Sequence, residues 1–412
     1  MRKRVLTVTG LVLILCLVAP PTSAVREPNR FLQGADYVVN STADPGIGTC
    51  DETECTLREA ITAANGDGKV SNIAFDIPAS DGGYNSSTGV WTIYLASALP
   101  ALTEEGTGVM GSTQTGNRGD TNPYGPEIEI SGQSLSPGAI CWWIGSNTTI
   151  DRLTINGCPA YGLQVHGDDN TIVGNYIGTD ATGSSDVSTS YNGILLGPGA
   201  ENNTIGGPNE EDRNVISGMG GGICIFGSAS SANVIRGNYI GTDRTGTQPL
   251  GNDGSGISIQ DGAHDNTVGP NNVIAYNGGH GVSIGGSETI YNTVTQNSIH
   301  SNVGKGITLS DGANGNLAAP YDLVAICSAG SASSGGSLTW EAFSDFDEEG
   351  RFFESTGGTA SGLFAFFPAD VLFRYPYVTL TVTDASGNTS EFSAAVPSGC
   401  LFVYLPLSMK GY

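Results

Sequence analysis

The chain is poor in charge, and poorest in positive charge. Only 14% of its 412 residues are charged, and 16 Lys and Arg stand against 40 Asp and Glu. Soluble domains usually carry roughly 25%. A formal net charge of −24 with so few cations excludes nucleic acid as a partner. The shortage of charged helix formers also argues against bundles and coiled coils. After the N-terminal segment no run approaches the ~18 apolar residues of a spanning helix, so no transmembrane segment is expected. The cysteines offer no CxxC and no nearby His pair, which argues against a zinc site. What is abundant is glycine, 61 residues, and the 38% of apolar residues is enough to build a core.

Arg2, Lys3 and Arg4 precede an apolar stretch from Val5 to Ala19, and Thr22-Ser23-Ala24 supplies small residues at a cleavage point. Residues 1–24 therefore read as a secretory signal peptide, placing the mature protein outside the cell or on its surface. Cysteine usage agrees with export: eight Cys less Cys16 in the leader leave seven. Cys50 and Cys55 flank a short loop and are expected to bridge. Cys327 and Cys400 are placed to tie a C-terminal domain. Cys141 and Cys158 either pair, leaving Cys224 odd, or remain buried thiols.

The middle of the chain repeats. Asn-x-aliphatic tripeptides recur at Asn170, Asn203, Asn233, Asn266 and Asn292, and again at Asn175, Asn214, Asn238, Asn272 and Asn297. Alternating strands follow Gly162, Gly193, Gly222, Gly256, Gly281 and Gly306. Three short strands per repeat, with no helix between them, describe a parallel β-helix in which each repeat is one coil. Alternation turns Leu163, Val165, Ile194, Leu196, Ile223, Ile225, Ile257 and Ile259 inward, and Gln164, Leu195, Cys224, Ser258, Ser283 and Thr308 outward. The matching Asn are expected to stack in ladders at the turns. Thr149, Thr171, Thr204, Val234, Thr267 and Thr293 form an outward column, but its mixed neighbours disfavour an ice-ordering array.

The flanks differ. Thr56-Leu57-Arg58-Glu59 is a capping box opening one amphipathic helix, with Leu57, Ala60, Ile61 and Ala64 on its apolar stripe and Gly66 as its stop. Such a helix would plug the open end of the coil stack. From 317 to 397 the Asn anchors vanish and longer alternating strands appear, reading as a small antiparallel β-sandwich. The expected domains are 25–135 for the cap and first irregular coils, 136–316 for the regular β-helix, 317–397 for the sandwich and 398–412 for a tail. The fold class is thus all-β.

At these residues the chain resembles a known family. Cys55-Thr56-Leu57-Arg58-Glu59-Ala60-Ile61 is similar to the CSLREA-type segment of secreted bacterial β-helix proteins. Gly174 to Asp180, recurring as Gly237 to Asp243, resembles the right-handed, pectate-lyase-like β-helix repeats that accompany it. Asn388 to Ser393 resembles the end of their C-terminal sandwich. Tyr404-Leu405-Pro406-Leu407 resembles a tail on exported proteins of filamentous green bacteria. The resemblance implies a right-handed β-helix and an exported protein, and supplies no catalytic residues.

Two functional readings follow. In the first, the protein is a binding or structural module, with glycans as the candidate partner. The recurring loops Gly178–Asn192 and Gly241–Asp253 leave the coil at one corner, two coils apart. Tyr176 and Tyr239 at their bases would stack on sugar rings, beside Asp180 and Asp243. In the second, it is a polysaccharide lyase or glycoside hydrolase. Gly279-His280-Gly281 resembles the Gly-His-Gly motif of polygalacturonases, but Gly254 and Ser255 stand where that family has an Asp pair. Asp168-Asp169 lies four coils away, roughly 19 Å at ~4.8 Å per coil. Lys305 matches His280 one coil on and Asp253 precedes Ser255, so His280, Lys305 and Asp253 are the candidate catalytic set. No cofactor is required by the first reading; Ca²⁺ is the ion the second would use. A monomer is expected.

Overall fold

The computed structural model describes residues 34–400, apart from 188, 336–337, 347–348, 359–361, 369 and 371. The leader and residues 401–412 lie outside the described residues. Between Tyr37 and Ser310 the chain winds through three sheets, two of nine strands and one of seven, joined coil to coil in parallel register. The first sheet runs from Tyr37–Val39 to Thr293–Val294 and the third from Trp142–Ile144 to Ile307–Ser310. The second ends at Ser298–His300; its first strand, Tyr84–Asn85, is a hairpin partner of Val90–Tyr94, and parallel pairing starts from there. This is a parallel β-helix, and the expected irregular first coils belong to the same continuous sheets.

The register is the one that alternation implies. Leu163 pairs with Ile194, Ile194 with Ile223, Ile223 with Ile257, and Ile257 with Val282. These aliphatic columns are buried along the axis and form one core with the equivalent columns of the other sheets. The recurring glycine of the third sheet, from Gly162 to Gly306, is a steric requirement: a Cβ on Gly222 would lie 2.3 Å from Gly256 O in the next coil.

Asparagine closes the corners. Asn170 Nδ2 donates to Asn203 Oδ1, Asn203 to Asn233, Asn233 to Asn266, and Asn266 to Asn292, at 2.8–3.0 Å. A second ladder climbs through Asn175, Asn214, Asn238, Asn272 and Asn297, and a third through Asn252, Asn277 and Asn302. Each rung's Oδ1 also accepts the preceding rung's backbone N–H, as Asn203 does from Asn170. Buried corner amides that no strand can satisfy are thereby paired.

Both ends are covered. Helix α1 (Leu57–Asp67) buries Leu57, Ala60, Ile61 and Ala64 in the core of the stack, and its Thr56–Glu59 capping box forms in full. Beside it, Cys50 and Cys55 are bridged. A second helix, α2 (Ser112–Arg118), has no apolar period and was not expected. It is held by polar bonds: Thr113 Oγ1 accepts from Phe75 N, and buried Gln114 bonds both Ile77 N and Ile77 O.

At the other end, residues 321–397 form antiparallel sheets of three and four strands around Trp340, Phe364, Phe366, Phe373, Val378 and Leu380. Cys327 and Cys400 bridge within this unit, Cys141 pairs with Cys158, and Cys224 is the free, buried thiol. The sandwich also closes the last coil. Thr389 Oγ1 accepts from Val294 N at 3.0 Å, Glu341 accepts from Gln296 N at 2.9 Å, and Glu391 accepts from Leu309 N at 3.0 Å. Ile299 and Gly350 exchange backbone bonds. Unpaired strand edges thus find acceptors from the sandwich instead of from another chain.

Candidate functional site

The structure does not assemble the expected catalytic set. His280 and Lys305 are neighbours on adjacent coils, but the contact is between the ring and the main chain: His280 Nδ1 accepts from Lys305 N at 2.9 Å. The Lys305 ammonium turns to Glu391 of the sandwich, 2.7 Å away. Its charge helps dock the C-terminal domain. Asp253 is exposed, with its backbone N–H bonded to Met219 O. The matching positions are real; the convergence of side chains is not. Among the described residues no three His, Cys, Asp or Glu are grouped to hold a metal ion.

The tyrosine reading is corrected in a different way. Tyr176 and Tyr239 do stand two coils apart, with Val215 between them, beneath their recurring loops. Yet each loop folds back over its own tyrosine. A Cβ on Gly183 would approach Tyr176 Cε2 to 2.7 Å, and one on Gly246 would approach Tyr239 Cζ to 2.6 Å; both glycines have positive φ. Tyr176 OH donates to Tyr124 O at 2.7 Å, and burial pushes its phenol up to about 12. Tyr239 accepts from Arg213, whose guanidinium also lies 4.3 Å over the ring. Both rings are thus half-buried and partly covered, instead of standing open side by side. Asp180 and Asp243 are likewise taken up locally. Asp180 accepts from Thr182, Ser184 and Ser185, and Asp243 from Thr245, Thr247 and Gln248. These are turn-closing carboxylates, and burial of Asp243 is outweighed by those bonds, which hold it below the usual carboxylate range.

Beside Tyr176 lies a cleft of about 260 Å³ to which neither recurring loop contributes; it is lined by Thr115, Glu127, Arg152, Tyr176 and Arg213 among others. Glu127 is 3% exposed and accepts from Thr115 Oγ1 at 2.6 Å. Burial raises its carboxyl above the usual range, against the Thr115 bond.

The outer face of the third sheet carries a different kind of site. Its outward column begins with Trp143, paired with Gln164, then Leu195 and Cys224. Trp143 is 40% exposed and lies flat against His166, with centroids 4.6 Å apart and planes 10° from parallel. Gln164 lies beside His166, its Nε2 2.7 Å from the ring Nε2. Tyr161 and exposed Tyr191 form a second aromatic pair at 5.5 Å. Tyr161 is close enough to Cys224 for their charges to interact, though burial is the main cause that raises its phenol. Cys224 is itself nearly buried, its thiol pushed up to about 11 by burial, with Gln260 Nε2 3.6 Å from the sulfur. Extending the outward column one coil back from Gln164 would have found Trp143; Tyr161 and Tyr191 sit at a corner that alternation does not orient.

Residues 138–319 match the family described as the right-handed β-helix region. The match spans the regular coils and gives the winding its hand. Among curated proteins none matches the chain. Of solved structures, ORF18 of Geobacillus virus E2 aligns with 82% of this chain and 72% of its own, at 11% identity and a TM-score of 0.19.

Proposed function

We propose that this is an exported β-helix module that binds glycans on the outer face of its third sheet. The observation that carries the reading is the Trp143–His166 stack with the Tyr161–Tyr191 pair across the same coils. Flat, partly exposed rings on a rigid sheet suit the apolar faces of sugar rings, and they lose little entropy on binding. Three disulfides support an oxidising compartment outside the cytoplasm. The test is a glycan array of residues 25–412 and the Trp143→Ala variant. Capture of a glycan by the wild type, lost at least tenfold in the variant, is the expected result. Equal capture by both would remove the platform from the reading.

A second reading places a cleavage activity in the Glu127 cleft and not at His280. A carboxyl whose hold on its proton is strengthened by burial suits a general acid, and Arg152 and Tyr176 line the same space. Glycan hydrolysis that survives Glu127→Gln would exclude this second reading.

A further inference from the structure

The electrostatics of the platform choose among glycans. The outward column Trp143, Gln164, Leu195, Cys224, Ser258, Ser283 and Thr308 contains no Lys or Arg. On the strand end next to it lie His166, Phe226, Gln260 and Ser310, again without a fixed cation. The turn that follows His166 holds Asp168 and Asp169, and the matching turn of the next coil adds Glu201, whose N–H donates to Asp168 Oδ1. At the opposite edge the one cation is Lys305, five coils beyond Tyr161, or roughly 24 Å at ~4.8 Å per coil. It is paired with Glu391.

One polar group on the platform is left over. Gln164 is 8% exposed, and its amide Oε1 is buried with no hydrogen-bond partner. It sits between Trp143 and Leu195 in register. A buried acceptor without a donor favours a ligand that brings one, and sugar hydroxyls are donors. Uronates carry hydroxyls as well, so what sets them apart is the carboxylate, which cannot donate and would arrive against the acidic rim.

We infer that the platform takes an uncharged glycan, stacked on Trp143 with one hydroxyl donating to Gln164 Oε1, and rejects uronate polymers. The inference rests on the glycan-binding reading and names its ligand class. The experiment is calorimetric titration of the mature chain with hexaoses: cello-, laminari-, manno- and xylohexaose on the neutral side, hexagalacturonate and hexamannuronate on the acidic side. At least one neutral hexaose is expected to bind, with the uronates about tenfold weaker or worse at low salt. The gap should narrow as salt screens the rim. Gln164→Leu, which keeps the volume and removes the acceptor, should cost about five- to tenfold for the neutral ligand with an unchanged melting temperature. A uronate that binds as tightly as the neutral chains overturns the selectivity while leaving glycan binding in place. A Gln164→Leu variant within twofold of wild type overturns the role of the acceptor. Binding of none of the hexaoses overturns the inference; loss of every hit on the array as well would sink the glycan reading itself.

Discussion

Removing one rung from the middle of an asparagine ladder tests how the coils are held together. Asn238 is fully buried. Its Nδ2 donates to Ile205 O, Arg236 O and Asn272 Oδ1, and its Oδ1 accepts from Asn214 N and Asn214 Nδ2. Asn238→Ala deletes these five bonds and strands their partners at a dry corner. At a net ~1 kcal/mol per bond, the loss is about 5 kcal/mol, less whatever an entering water recovers, so about 3–5 kcal/mol. Asn297, the last described rung, bonds Val268 O and accepts twice from Asn272. Asn297→Ala should therefore cost less, about 2–3 kcal/mol by the same count. Because a solenoid's stability is carried by neighbouring coils, the measurement pairs urea unfolding with amide exchange at the flanking strands. The expected result is faster exchange at Val215–Ile216 and Val273–Ala275, spreading from the missing rung. If Asn238→Ala stays within about 1 kcal/mol of wild type, or costs no more than Asn297→Ala, the ladder is not what holds the corners.

Other outcomes follow from the same geometry. Ile259→Asp puts a carboxylate into a fully buried column between Ile225 and Ile284 and should be severely destabilising, by more than about 4 kcal/mol; a near-native melting temperature would break the register. Glu59→Ala removes the carboxylate that accepts Thr56 N at 2.8 Å and is expected to cost about 1–2 kcal/mol in thermal unfolding, with dimers appearing in light scattering as the first coil opens. Glu391 is pulled upward by burial, but its bonds from Lys305 and Leu309 win and hold it below 4.5. A depressed carboxyl stabilises the fold above its ordinary value and loses that contribution as pH falls through the lower folded one. Glu391→Gln should therefore flatten the acid limb of the stability profile below pH 4.5, and an unchanged limb would refute its role in docking the sandwich.

The coils were legible in the sequence because the β-helix repeats its own demands. A glycine is needed wherever the next coil's carbonyl passes close, an asparagine wherever a corner amide is buried, and an aliphatic residue at every inward position. Each demand returns once per coil, so it leaves a period that can be read without coordinates. The capping box of α1 was legible for a similar reason: its bonds join residues three apart. Helix α2 was not, because Thr113 and Gln114 are fixed by Phe75 and Ile77, and no local pattern records a bond across nearly forty residues.

Site chemistry escaped in the same way. Alignment of repeats places His280 beside Lys305, but only the folded sandwich supplies Glu391, which claims the ammonium. Likewise it places Tyr176 and Tyr239 on one face, while the backbone of their own loops decides that the rings are partly covered. Trp143, His166 and Gln164 lie within 24 residues of one another yet carry no motif. They become a surface only when two coils stack and set indole on imidazole. Sequence fixes what recurs along the axis, because period and register are properties of one coil and the next. What a side chain meets beyond its own ladder depends on loops and on a second domain whose positions no repeat encodes, and that is left to the tertiary structure.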